Sequence, residues 1–192
     1  MSRFADCNGV RLHYETHGER GSPVLLIMGF TVAGAAWRFQ RDDLAAQHRV
    51  VWFDNRGSGQ SELGPGPFGI ADLADDAVAL LDHLGWPDAH VTGVSMGGMI
   101  AQELALRHRA RVRSLTLIAT TAGGWLGALP TWRGAVHLAR VATLSGQRRI
   151  DAHKDLLFPA SWTPDPGPLF ETLQLDYGTP PATAARRAQL RA

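Results

Sequence analysis

Cysteine is nearly missing from this chain: Cys7 stands alone among 192 residues. No intrachain disulfide can form, and a cysteine-built structural zinc cluster is excluded. Charge bias is missing too, with 19 basic and 18 acidic residues and a formal net charge of +1. Such balance gives nucleic acid or an anionic membrane no electrostatic footprint, so neither is expected as a partner. No run approaches the roughly 18 uninterrupted apolar residues of a membrane span. Met1-Ser2-Arg3-Phe4-Ala5-Asp6 has no apolar signal-peptide core, and the expected address is cytoplasmic. Nucleotide signatures are absent as well. Gly57-Ser58-Gly59 continues as Gln60-Ser61-Glu62, which has neither a P-loop ending nor the third glycine of a dinucleotide fingerprint. No cofactor and no metal is implied. Cys7 borders the Asn8-Gly9 turn signal rather than a strand-to-helix turn, and is not read as a nucleophile.

What is present is enough apolar material for a core, 45% of the chain, arranged as alternating strands and helices. Segments 3–7 and 10–16 flank Asn8-Gly9 and read as an antiparallel hairpin. Pro23 to Met28 and Arg49 to Phe53 are continuous apolar runs of strand length, the kind buried on both faces of a parallel sheet. Trp37 to Gln47 reads as a helix between them. From Ile70 to Leu84 an apolar stripe of Ile70, Leu73, Ala74, Ala77, Val78, Leu81 and Leu84 faces inward, with Asp72, Asp75, Asp76 and Asp82 expected away from it. Strand 89–94, helix 96–107 and strand 112–118 complete the series. The fold class is therefore α/β: a mostly parallel sheet with an N-terminal antiparallel hairpin and crossover helices.

One motif names a chemistry. Gly93-Val94-Ser95-Met96-Gly97 follows a strand-like run and opens a helical one, the setting of a nucleophile elbow. Gly93 and Gly97 suit a turn where the backbone must come close to its neighbours. Ser95 would be the nucleophile. A serine is a poor nucleophile alone and needs a base, and a group that orients that base.

Several pieces together make the pattern more specific: Asn8 to Tyr14, Leu25 to Phe30, the loop Asp54 to Ser61, and Gly93 to Glu103. From about residue 8 to 122 the sequence resembles the α/β-hydrolase superfamily, in particular its small cap-bearing esterase, lactonase and cofactor-free haloperoxidase branch. The resemblance implies that the backbone N–H groups of Phe30 and Met96 form the oxyanion hole. The family usually has His-Gly before the first donor, where this chain has Met28-Gly29. Because the donor is backbone, that change leaves the hole possible. Phe30 also reads simply as a core aromatic at a strand end. Asp54 and Arg56 read as hydrogen-bond partners that fix their loop, not as catalysts.

The acid and base are not evident. Downstream of Ser95 stand only His108, His137 and His153, and none has a suitably placed carboxylate before it. Residues 1–122 read as the N-terminal part of a hydrolase core. Residues 123–192 read as a helical cap segment with no further strand, so the C-terminal core strands are expected to be missing from this chain. Trp125, Trp132, Phe158 and Trp162, with Phe170, would line an apolar pocket or form the cap's own core, and the sequence leaves both open. Strand 112–118 would then be an exposed sheet edge, open to self-association or to a complementing chain. The expected activity is that of a serine hydrolase acting on a small, largely apolar ester, lactone or related acyl compound, weak or silent in this chain alone. A non-catalytic binding or interaction module and a cofactor-free perhydrolase remain the alternatives.

Overall fold

The computed structural model describes residues 3–122 together with Gly134, Val136, Arg148 and Gln189. The chain divides into two compact units, Met1–Ala122 with Asp176–Ala192, and Gly123–Leu175. The first unit holds the sheet. The expected cap segment, residues 123–192, lies outside the described residues except for those four positions.

Among the described residues the sheet has six strands: β1 (Arg3–Cys7), β2 (Val10–His17), β3 (Pro23–Ile27), β4 (Arg49–Phe53), β5 (Ala89–Val94) and β6 (Val112–Ile118). Three helices connect them: α1 (Arg38–Ala45), α2 (Ile70–His83) and α3 (Met96–Arg107). Strand order is β1-β2-β4-β3-β5-β6. The β1–β2 and β2–β4 pairs are antiparallel, while β4–β3, β3–β5 and β5–β6 are parallel. Asn8 and Gly9, with φ of 51° and 76°, make the two-residue turn of the first hairpin. From β3 the chain crosses to β4 on one side and then back past β3 to β5 on the other. That reversal opens a crevice beyond the carboxyl ends of β3 and β5, where open α/β sheets place their chemistry.

Alternation along the strands sorts side chains between two cores. Leu25, Ile27, Val51, Phe53 and Val91 pack with Leu73, Ala77, Leu80, Leu81, Ile100 and Leu104 beneath α2 and α3. Val24, Leu26, Val50 and Trp52 pack on the other face with Trp37, Leu44 and Ala45. Both faces of β3 and β4 are thus covered, which is why those strands read as unbroken apolar runs.

Two expectations need correction. The helix expected from Trp37 begins as a 3₁₀ turn over Gly34–Trp37 and becomes α-helical only at Arg38. Gly34 lies against the Phe53 carbonyl, and its N–H donates to Asp54 Oδ1 at 2.6 Å, which holds the entry tight. Asp76 does not fall on the solvated face of α2: it is 1% exposed because Arg56 pairs with it. At the far edge β6 has only Val112 buried, and Leu115, Leu117 and Ile118 are exposed. No helix among the described residues is long and apolar enough to cross a membrane.

Candidate active site

Ser95 occupies the single residue between β5 and α3 with φ 55° and ψ −123°. A non-glycine residue there carries strain of about 1–3 kcal/mol that its surroundings must hold. They do so through the backbone. Ser95 N–H donates to the Ile118 carbonyl at 2.9 Å, and Ser95 C=O accepts from Gly98 N–H at 2.9 Å and Thr120 Oγ1 at 2.7 Å. The turn also needs space. A Cβ on Gly97 would strike the Ile27 carbonyl oxygen, and one on Gly93 would strike that of Gly97. The outcome is a serine side chain exposed at the carboxyl end of the sheet.

The loop after β3 comes up beside it. A Cβ built on Gly29 would lie 3.1 Å from Ser95 Cβ and 3.6 Å from Oγ, so residues 29 and 30 border the serine directly. Phe30 packs its ring, partly buried, on the larger core. Neither Phe30 N–H nor Met96 N–H has a hydrogen-bond partner among the described residues. Met96 N–H opens α3, where the aligned peptide dipoles favour negative charge. The exposed hydroxyl thus lies between the N-terminus of α3 and the loop after β3, which reaches it through Gly29.

Residues 54–61 brace this crevice from the β4 side. Asp54 is 2% exposed; its Oδ1 accepts from Gly34 N–H, and its Oδ2 accepts from Gln60 N–H at 2.8 Å and from His13 Nδ1 at 2.9 Å. Asn55 Nδ2 donates to the Met28 carbonyl at 2.8 Å, which fastens the loop to the end of β3. Arg56 binds both oxygens of Asp76, with Nη2 at 2.7 Å from Oδ1. With its guanidinium engaged there, Arg56 is not presented to a phosphate. Asp54 and Arg56 thus fix their loop. His13 was not singled out in the sequence, because nothing local marks a strand histidine as the partner of a residue 41 positions away.

No triad is assembled among the described residues, where neither a histidine nor a carboxylate hydrogen-bonds Ser95 Oγ. His108 Nε2 donates to Asp75 Oδ1 at 2.7 Å, but His108 follows the last residue of α3, about 18 Å of helix from Ser95. His13 turns its second nitrogen to Gln60, not to the serine. His137, His153 and Asp151 lie outside the described residues, as do Trp125, Trp132, Phe158 and Trp162. Cys7 is fully buried, and burial, with Asp76 and Asp6 nearby, pushes its thiol up to about 12. A thiol held protonated is no competing nucleophile. Among the described residues no group of three or more histidine, cysteine, aspartate or glutamate side chains could hold a metal ion.

Comparison with known proteins follows the same outline. Residues 22–165 match the family model described as the alpha/beta hydrolase fold. A putative carbamate hydrolase RutD from Azorhizobium caulinodans is 39% identical over 161 residues, 83% of this chain and 59% of that protein. The 3-oxoadipate enol-lactonase 2 of Acinetobacter baylyi is 33% identical over 132 residues, 68% of this chain and 49% of that protein. The crystal structure of the enol-lactonase from Burkholderia xenovorans LB400 superposes with a TM-score of 0.78 at 27% identity, covering 97% of this chain and 72% of that one. The chain therefore spans less than two thirds of the length of the curated relatives it matches.

Proposed function

Because the chain belongs to the alpha/beta hydrolase fold family, we propose that it carries the nucleophile and oxyanion donors of a serine hydrolase for small ester, lactone or carbamate-like acyl compounds. The observation that carries this reading is the conformation of Ser95: exposed, strained at φ 55°, at the start of α3 and bordered by Gly29 of the loop after β3.

In this reading Ser95 Oγ attacks the acyl carbon and its proton passes to a general base. The carbonyl oxygen becomes an oxyanion held by the two N–H groups. Collapse expels the alcohol or amine, and water releases the acid from the acyl-serine. The base and its orienting acid are not among the described residues around Ser95. A cytoplasmic location belongs to the same proposal.

The relatives named for a carbamate and an enol-lactone point to compact acyl substrates. A fluorophosphonate probe tests both nucleophile and class. Labelling is expected in the folded 192-residue protein, is lost in Ser95→Ala, and is slowed by competing phenyl acetate, a small lactone or an aryl carbamate. Folded protein that does not label would favour a non-catalytic binding module. Labelling that none of the three acyl compounds slows would sink the substrate class while keeping the nucleophile.

A further inference from the structure

Gln189 lies 158 residues after Thr31 in sequence, belongs to the first unit, and is 4% exposed. Its carboxamide is fully engaged. Oε1 accepts from Thr31 N–H at 3.1 Å, and Nε2 donates to the Arg56 carbonyl at 2.6 Å and to Ser58 Oγ at 3.0 Å. One side chain therefore joins the loop after β3 to the loop after β4.

The place of that join matters because Thr31 follows Phe30 directly. Thr31 is a β-branched residue at φ 59°, a conformation that such side chains rarely adopt, and it is 7% exposed. A buried peptide N–H without a partner is costly, so the Thr31 N–H would turn toward another acceptor if Gln189 were withdrawn. Turning that peptide changes ψ of Phe30 and so loosens the adjoining Gly29–Phe30 peptide, which carries the N–H proposed above as an oxyanion donor and follows the residue that borders Ser95. Among the described residues, the other backbone bond in this turn is the long one from Val32 N–H to the Gly29 carbonyl, at 3.3 Å. That bond is too weak to fix two successive peptides.

We infer that Gln189 is a positioning residue for the oxyanion hole: its carboxamide captures the Thr31 N–H and so aims the preceding Phe30 N–H at the oxyanion formed on Ser95. It touches neither substrate nor nucleophile. This inference rests on the hydrolase reading above and adds that Gln189 contributes to the site's geometry. Donor placement to within a fraction of an ångström decides how well charge is held, so loss of the clamp should slow the chemical step more than it weakens probe binding.

The test uses the full 192-residue protein and measures fluorophosphonate phosphonylation, in which Ser95 Oγ bonds to phosphorus, fluoride leaves, and the phosphoryl oxygen takes the oxyanion position. Gln189→Met keeps the volume and removes all three hydrogen bonds. The limiting labelling rate is expected to fall about tenfold or more, with the half-saturating probe concentration changing less than about twofold. Unfolding of part of the sample would lower the labelled fraction instead, leaving the rate constant of the remainder unchanged; that result overturns the inference. Gln189→Glu supplies a second reading. Its carboxylate can still accept from Thr31 but repels the Arg56 carbonyl, and on protonation it regains a donor. Its rate relative to wild type should therefore climb as pH falls through the carboxyl titration, and a flat ratio would count against the clamp. Amide exchange gives a readout independent of activity: Thr31 should lose protection in Gln189→Met while β3 and α3 keep theirs. Unchanged Thr31 protection overturns the inference, whereas wild-type protein that folds but does not label removes the hydrolase reading on which it rests.

Discussion

Asp76 shows how a single side chain can read one way in sequence and another in the folded protein. Helical periodicity puts it with Asp72, Asp75 and Asp82 on the polar side of α2, yet it is 1% exposed and paired with Arg56, itself 7% exposed. Asn8 Nδ2 also donates to it, at 3.2 Å. A periodic pattern records only which faces are apolar; it holds no information about a cation arriving from a loop 20 residues earlier. Asp76→Ala leaves the guanidinium buried without its partner, and a loss of about 3–5 kcal/mol in urea unfolding is expected. A loss below about 1 kcal/mol would mean that Arg56 reaches water freely. Gln189 escaped the sequence for the same reason: its bond to Thr31 joins residues 158 apart, and neither neighbourhood carries a signal. Ser95, by contrast, was legible because strand, glycines and helix are contiguous in sequence.

At the scale of elements the reading was close. Strands 49–53, 89–94 and 112–118 and helix 96–107 coincide with β4, β5, β6 and α3, since continuous apolar runs and 3.6-residue spacing are local properties. The start of α1 was misplaced because a tertiary contact, Gly34 against Phe53, sets it. The elbow depends on how closely α3 approaches β3. Gly97→Ala would drive a methyl group into the Ile27 and Met28 carbonyls, and a loss of about 3 kcal/mol or more, or failure to fold, is expected by thermal unfolding. Helices α2 and α3 are joined near their polar ends by Asp75, which accepts from His108 and pairs with Arg107 at 3.0 Å. Partial burial opposes ionisation of Asp75, but those hydrogen bonds and charges outweigh it and hold its carboxyl below the usual aspartate value. A carboxyl lowered in the folded state adds stability above its unfolded value, and that stability is lost as pH falls through the folded one. Asp75→Asn should therefore flatten the fall in stability below about pH 4, at a cost near neutrality of less than about 1 kcal/mol because the pair is partly exposed. An unchanged acid slope would assign that slope to other carboxylates.

For the whole molecule, the sheet ends on β6, whose outer residues Leu115, Leu117 and Ile118 are 38–43% exposed. An apolar edge strand with open peptide groups is a template for a second copy. The average mass of the 192-residue protein by light scattering is expected to rise with concentration, and Leu117→Lys should suppress the rise. A constant monomer mass in the parent protein would show that the edge does not associate. The mostly parallel sheet with its crossover helices was legible in the strand pattern, whereas the strand order was not, because pairing between distant segments sets it.

The central claim is that the fold presents Ser95 as the nucleophile at that crevice. Intact-mass analysis after fluorophosphonate treatment, with peptide mapping of the adduct, measures it most directly. One probe per folded chain, carried by the peptide containing Ser95 and absent from Ser95→Ala, is the predicted result. No adduct on a natively folded protein, or an adduct on any other residue, would contradict it.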